Sequence, residues 1–283
     1  MVLYALGFEQ LDQPRERFAL QRFDNCEKSQ ESAMSSPVRK SPETTAQDAP
    51  QVAPAKIFIV DHGTLLRALK ASIKPTGGPS NGGLDNHMWA AVVDRTGVVR
   101  AVCYSGDESG DQWPGSRSIA IEKANTANAL SLPKFSFSTA NLYSGAQPGG
   151  FLFGIVNTNP VDTKTMYAGD PNTYGTPSDP MVGQKASGVV IFGGGLALYD
   201  GETIVGALGV SGDTSPGDHN IAWRVRKALS LDKVPNGITA MGNDAIIYDI
   251  GMLGKSSSGY GHPVSGLKEI DVAKQIGASA EGK

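Results

Sequence analysis

The chain has 283 residues with 35 glycines, 17 prolines, 19% charged residues and a formal net charge of −3. That balance supplies no basic field for a phosphate backbone, and no Lys/Arg stripe with interleaved aromatics occurs, which excludes nucleic acid as a partner. No apolar run approaches a membrane span and no basic region precedes an apolar secretory core, so the expectation is a cytoplasmic protein with no membrane association. Two cysteines, Cys26 and Cys103, exclude a disulfide framework and a cysteine zinc site.

In chain order, residues 1–23 carry Leu3, Tyr4, Leu6, Phe8, Leu11, Phe18, Leu20 and Phe23, enough for a short docking element. Met34-Ser35-Ser36 offers an alternative start that leaves residues 1–33 outside the native protein. Residues 26–54 are rich in Ser, Pro, Gln, Glu and Thr and poor in large apolar side chains, so disorder is predicted there. The domain reading is an extension over 1–54, one domain over 55–250 and a tail over 251–283. Residues 57–60 form a short strand or helix lead-in. Over 64–74, Leu65, Leu66, Leu69 and Ile73 share one helical face before Pro75 stops the helix. The runs 89–93 and 98–104, joined by Asp94-Arg95-Thr96-Gly97, predict a hairpin. Over 117–132 a helix with Ala120, Ala124 and Ala127 on one face can approach a sheet closely.

Residues 141–188 are rich in Gly, Pro, Asn and Asp yet carry Tyr143, Phe151, Phe153, Tyr167 and Tyr174, the composition of a long ordered insertion. A second hairpin is predicted over 196–199 and 203–210 from Asp200-Gly201, whose residues accept the positive φ of a tight turn. Ser215-Pro216-Gly217-Asp218 then matches a capping box, and Ile221, Ala222, Val225 and Leu229 recur at helical spacing. Residues 244–250 predict one more strand, and 256–283 a glycine-rich charged tail with no evident core face.

The glycine clusters Gly193-Gly194-Gly195 and Gly206, Gly209, Gly212 precede or lie within a hairpin and do not join a strand to a helix, so they are no phosphate cradle. Ser211 lacks the final glycine of a nucleophile elbow, and Gly254-Lys255-Ser256 lacks the spaced upstream glycine of a P-loop. His62, His87, His219 and His262 show no zinc-pair spacing, and no metal site is predicted. His219 falls in the first turn of a predicted helix, where the dipole lowers proton affinity and leaves a neutral imidazole as base or ligand; a plain first-turn residue is the alternative. The acidic loop 107–116 brings Trp113 and leads to Arg117, which can meet a ligand carboxylate or simply be solvated. Glu122 and Lys123 pair locally, face solvent or line a cleft.

The core Gly206-Ala207-Leu208-Gly209-Val210-Ser211-Gly212, the following Asp218 and Ile221-Ala222, the strand pair around Val92-Val93-Asp94 and the segment Glu122-Lys123-Ala124-Asn125-Thr126-Ala127 together resemble the GlcG/HbpS family. The resemblance spans about residues 57–229. Its members include extracellular haem-binding proteins and the C-terminal domain of the PduO cobalamin adenosyltransferases. It implies an α+β, profilin-like fold, a central antiparallel sheet flanked by helices in α/β/α layers, assembling as a homo-oligomer from dimer to octamer. It also implies haem or tetrapyrrole binding, with degradation among the reported activities, although no fixed ligand motif transfers. On that reading Trp113, Tyr143, His219, Arg117 and Lys123 hold a planar small-molecule ligand. Two alternatives stand beside it: a cofactor-independent lyase or isomerase with His219 or Glu122 as base and Arg117 as anion clamp, and a scaffold without catalysis.

Overall fold

The computed structural model describes residues 60–74 and 80–282. The readings for residues 1–59, disorder and docking element included, lie outside the described residues; of the predicted lead-in 57–60 only Val60 is described, and it is buried. Helix α1 (His62–Ile73) opens at Asp61, whose side chain accepts the Thr64 N–H at 2.8 Å. Strands β1 (Trp89–Asp94) and β2 (Val99–Tyr104) follow as the first predicted hairpin. Its turn is tied by Asp94, whose carboxylate accepts the Thr96 N–H and the Arg100 guanidinium, while Gly97 takes φ +79°.

Helix α2 (Ser116–Leu130) comes next, and the predicted insertion consists of short turns with two one-turn helices, α3 (Ile155–Thr158) and α4 (Thr163–Met166). Strands β3 (Gly195–Asp200) and β4 (Thr203–Ser211) turn at Gly201, with φ +61°, as the Asp-Gly pair requires. Helices α5 (Ser215–Ala228) and α6 (Glu269–Ile276) complete the fold.

The sheet is antiparallel in the order β2-β1-β4-β3. Strand alternation sends Ala90, Val92, Leu198, Leu208 and Val210 to one face, where Leu65, Leu69, Ile221 and Val225 of α1 and α5 cover them. Ala91, Val93, Val102 and Ala207 point to the other face against Ala120, Ile121, Ala124 and Ala127 of α2. The molecule is therefore an α+β fold in three layers, as expected.

Three expectations fail. Residues 244–250 form no strand; Ile246 and Ile250 make only isolated bridges, to Ser279 and Ser256, although Ala245, Ile246 and Ile247 are buried. The C-terminal segment is not without a core face, because Ala273 and Ala278 pack with Ile246 and Ala140 in a cluster of their own. Helix α5 is capped by Thr214, whose hydroxyl accepts the Gly217 N–H at 3.2 Å, and not by Ser215.

The alanine face of α2 brings it so near the sheet that a Cβ on Gly209 would stand 1.9 Å from the Ala120 carbonyl oxygen. Gly209→Ala is expected to lower stability by about 2–3 kcal/mol by overpacking, while Gly110→Ala, with open space around it, stays within about 0.5 kcal/mol. Urea unfolding measures both; equal midpoints for the two variants would contradict the close packing.

Candidate functional site

Where β4 ends, α2, α5 and the turn before β3 meet. Lys123 reaches from α2 past Gly194 to α5, and its Nζ donates to Asp218 Oδ2 at 2.7 Å and to the Val210 carbonyl at 3.1 Å. A Cβ on Gly194 would lie 2.8 Å from that Nζ, and one on Gly193 would lie 2.3 Å from the Ser215 carbonyl oxygen. Gly194 thus leaves room for the lysine to cross, and Gly193 lets the turn approach the start of α5. Asp218 Oδ1 accepts the Asp213 N–H at 2.8 Å, so this carboxylate serves the buried pair and not the predicted cap. Burial lowers the Lys123 proton affinity, and burial lifts the Asp218 carboxyl to about 6 against the pull of Lys123.

His219 is wholly buried. Its Nε2 lies 3.2 Å from the Ala278 carbonyl, its Nδ1 has no partner, and its ring is 5.8 Å from that of Trp223. Burial above all pulls it down to about 3, so the neutral imidazole foreseen from the helix dipole is present for a different reason. His262 sits nearby: its Nε2 accepts the Gly193 N–H at 3.1 Å and its Nδ1–H donates to the Pro263 carbonyl at 2.7 Å, which fixes the neutral tautomer. Burial holds it down to about 4, and the Tyr143 ring stands 5.5 Å away. Nothing around His262 in the sequence singles it out, since the Gly193 amide it meets is 69 positions away.

Lys123, His219 and Tyr143 are therefore brought to one region, around the 193–195 turn. Arg117, Trp113 and Glu122 are not. Arg117 is spent on Asp179, with its Nε 2.9 Å from Oδ2, on the Met166 carbonyl at 2.8 Å and on the Tyr174 ring, 3.7 Å from its guanidinium carbon. It anchors the insertion to α2 and leaves no fork for a ligand carboxylate. Trp113 is 53% exposed on its loop. Glu122 lies half-buried beneath Gly188, where a Cβ would come 2.7 Å from its Oε2, and burial pushes it up to about 7.

A groove of about 520 Å³ runs between α1, α5 and α6, lined among others by Ser72, Trp223, Arg224, Lys227 and Ile276. Trp223 belongs both to this groove and to the His219 contact. Sequence reasoning missed it because α6 supplies one wall.

Residues 83–226 match the family model described as haem degrading protein HbpS-like. The chain belongs to the HbpS-like family. No curated protein matches the chain. Among solved structures, a PduOC:haem complex is 23% identical with a TM-score of 0.40, covering 59% of this chain and 89% of that one. The protein ORFY of Klebsiella pneumoniae is 22% identical with a TM-score of 0.41, covering 60% and 90%. A double mutant of HbpS from Streptomyces reticuli is 19% identical with a TM-score of 0.38, covering 70% and 99%. Among the described residues of this HbpS-like chain, no group of three or more His, Cys, Asp or Glu could hold a metal ion, and no helix is long and apolar enough to cross a membrane.

The imidazoles set an acid limit. Both have folded-state values below the unfolded 6.5, so their stabilisation is present above pH 6.5 and lost as pH falls toward about 4 for His262 and about 3 for His219. Asp218 acts oppositely, its contribution present below 3.8 and lost as pH rises through about 6, but two imidazoles outweigh one carboxyl. Urea unfolding at stepped pH is expected to show His262→Gln with a limb shallower by about one proton between pH 6.5 and 4. Identical limbs for the two proteins would refute the assignment.

Proposed function

We propose that this HbpS-like protein binds haem or a closely related tetrapyrrole, and that degradation of the bound group belongs to the same activity. The observation that carries the reading is the α1/α5/α6 groove, with an aromatic face, cationic side chains and an imidazole behind it. A tetrapyrrole is a planar apolar ring bearing carboxylates. Trp223 offers the ring face, Arg224 and Lys227 the charge for the carboxylates, and His219 a neutral imidazole with one unpartnered nitrogen. These residue types fit the group, and family membership supports the choice. When bound, its iron would supply one-electron and oxygen chemistry. The chain's own part is to seat the ring, balance its charge and keep His219 unprotonated. Arg117 and Lys123, first considered for the propionates, are engaged in buried ion pairs, which moves that role to α5.

Hemin added to the full chain is expected to give a shifted Soret band. Trp223→Ala and Lys227→Glu each weaken binding about tenfold, equivalent to about 1.4 kcal/mol. A wild type with no spectral shift overturns haem binding, and a normal shift in both variants overturns the groove as its seat.

Glu122 favours a second reading, proton transfer on a small organic acid or carbonyl compound without a cofactor. A carboxyl raised to about 7 by burial is suited to general acid–base work near neutral pH. An organic acid that raises the melting temperature of the wild type and leaves Glu122→Gln unmoved supports it. A panel of such acids that leaves both proteins unmoved rejects it.

A further inference from the structure

A separate cavity of about 790 Å³ is lined entirely by residues between Ile247 and Gly282, beyond the family-matched segment 83–226. Its volume is in the range of small-molecule sites. Ile247 and Ile270 supply apolar wall. The polar lining divides into two chemical kinds. Lys274 and Ser279 have no side-chain partner among the described residues, and the Tyr248 hydroxyl is buried without one. Lys274 and Ser279 are thus two unspent donors at the cavity surface, one of them charged, while the Tyr248 hydroxyl is closed off from it. Against them stand two carboxylates, Asp249 and Glu281.

Asp249 is a built feature. It accepts the hydroxyls of Ser256 at 2.6 Å and Ser257 at 2.9 Å and the Ser258 N–H at 2.7 Å. Those bonds hold it ionised despite partial burial, which works against the charge. Glu281 is exposed at the rim. A simple anion entering here would meet both carboxylates, and a simple amine would meet Lys274. A ligand carrying both charges satisfies both sets, with its apolar part against the isoleucines.

We infer that this cavity binds a zwitterionic amino acid or short peptide, its carboxylate taken by Lys274 and Ser279 and its ammonium by Asp249 and Glu281. The cavity size favours a dipeptide over a single amino acid. The site is independent of the tetrapyrrole groove, which is lined by other residues of α1, α5 and α6.

The test is calorimetric titration of the full chain with the dipeptide Leu-Leu, with its N-acetyl form lacking the ammonium and its C-terminal amide lacking the carboxylate. Leu-Leu is expected to bind, with each blocked form at least tenfold weaker. Lys274→Met and Glu281→Gln, both at exposed positions, are expected to weaken Leu-Leu about fivefold or more while leaving the hemin response unchanged. No heat with Leu-Leu, or equal binding of a blocked form, overturns the inference whatever the hemin result. Should a variant fail to fold, the three ligands on the wild type decide the matter alone.

Discussion

The close approach of α2 to the sheet, and the crossing of Lys123 that it permits, constrain most of the rest. An alanine face on the helix meets glycine on the strand, so the backbones nearly touch, and Lys123 can then thread the sheet end to reach Asp218 on the opposite layer. A buried ion pair is an uncertain source of stability, because desolvation of both ions offsets their attraction. Its firm consequence is specificity. Once Lys123 is inside, any arrangement that removes Asp218 leaves an uncompensated buried charge, so the register between the two helical layers is fixed. The glycine at 194 follows from that crossing, since a side chain there would meet the lysine Nζ, while Gly193 and Gly195 are held by close approach to the Ser215 and Lys123 carbonyls.

Two further buried pairs repeat the device with irregular segments. Arg117 of α2 holds Asp179 of the insertion, and Arg226 of α5 holds Asp244, with Arg226 Nη1 and Nη2 at 2.7 and 2.8 Å from its two oxygens. The Asp244 carboxyl stays low: burial opposes its charge, but Arg226 and the Ser136 hydroxyl outweigh burial. Segments without long elements of their own are thus pinned by charge to helices that have a core, and in the insertion Met166 and Met181 are buried beside the Arg117 pair. This accounts for a long insertion being ordered without long elements of secondary structure.

What was legible in the sequence was what local chemistry decides. Asp200-Gly201 and the turn ending at Gly97 specify hairpins within a few residues, and the alanine face of α2 declares a close-packed helix. The cap of α5 slipped by one residue because Thr214 and Ser215 can both cap, and the choice rests on Asp218 being drawn inward to Lys123. The ion pairs were invisible because their partners stand 62, 95 and 18 positions apart, and a charged residue read alone looks solvated. The C-terminal segment failed for the same kind of reason. Its few apolar residues show no face until Ile246 and Ala140 are brought to them. The family resemblance gave the family and the α+β fold, but without a fixed ligand motif it could not say which side chains the core would bury.

The candidate sites then follow from where the family-matched segment stops. Residues 83–226 build the sheet, α2 and nearly all of α5, a packed core in two layers of apolar side chains. The added segments close over it: α6 supplies one wall of the groove, Ala278 accepts from His219, and His262 takes the Gly193 amide. His219 is neutral because that cover excludes water, since burial dominates its shift. Opening the cover would restore water to the ring and raise its proton affinity toward the ordinary value, weakening it as a ligand just as it became accessible. With the cover in place, Trp223 links the two: it lines the groove wall, and its ring stands 5.8 Å from that of His219.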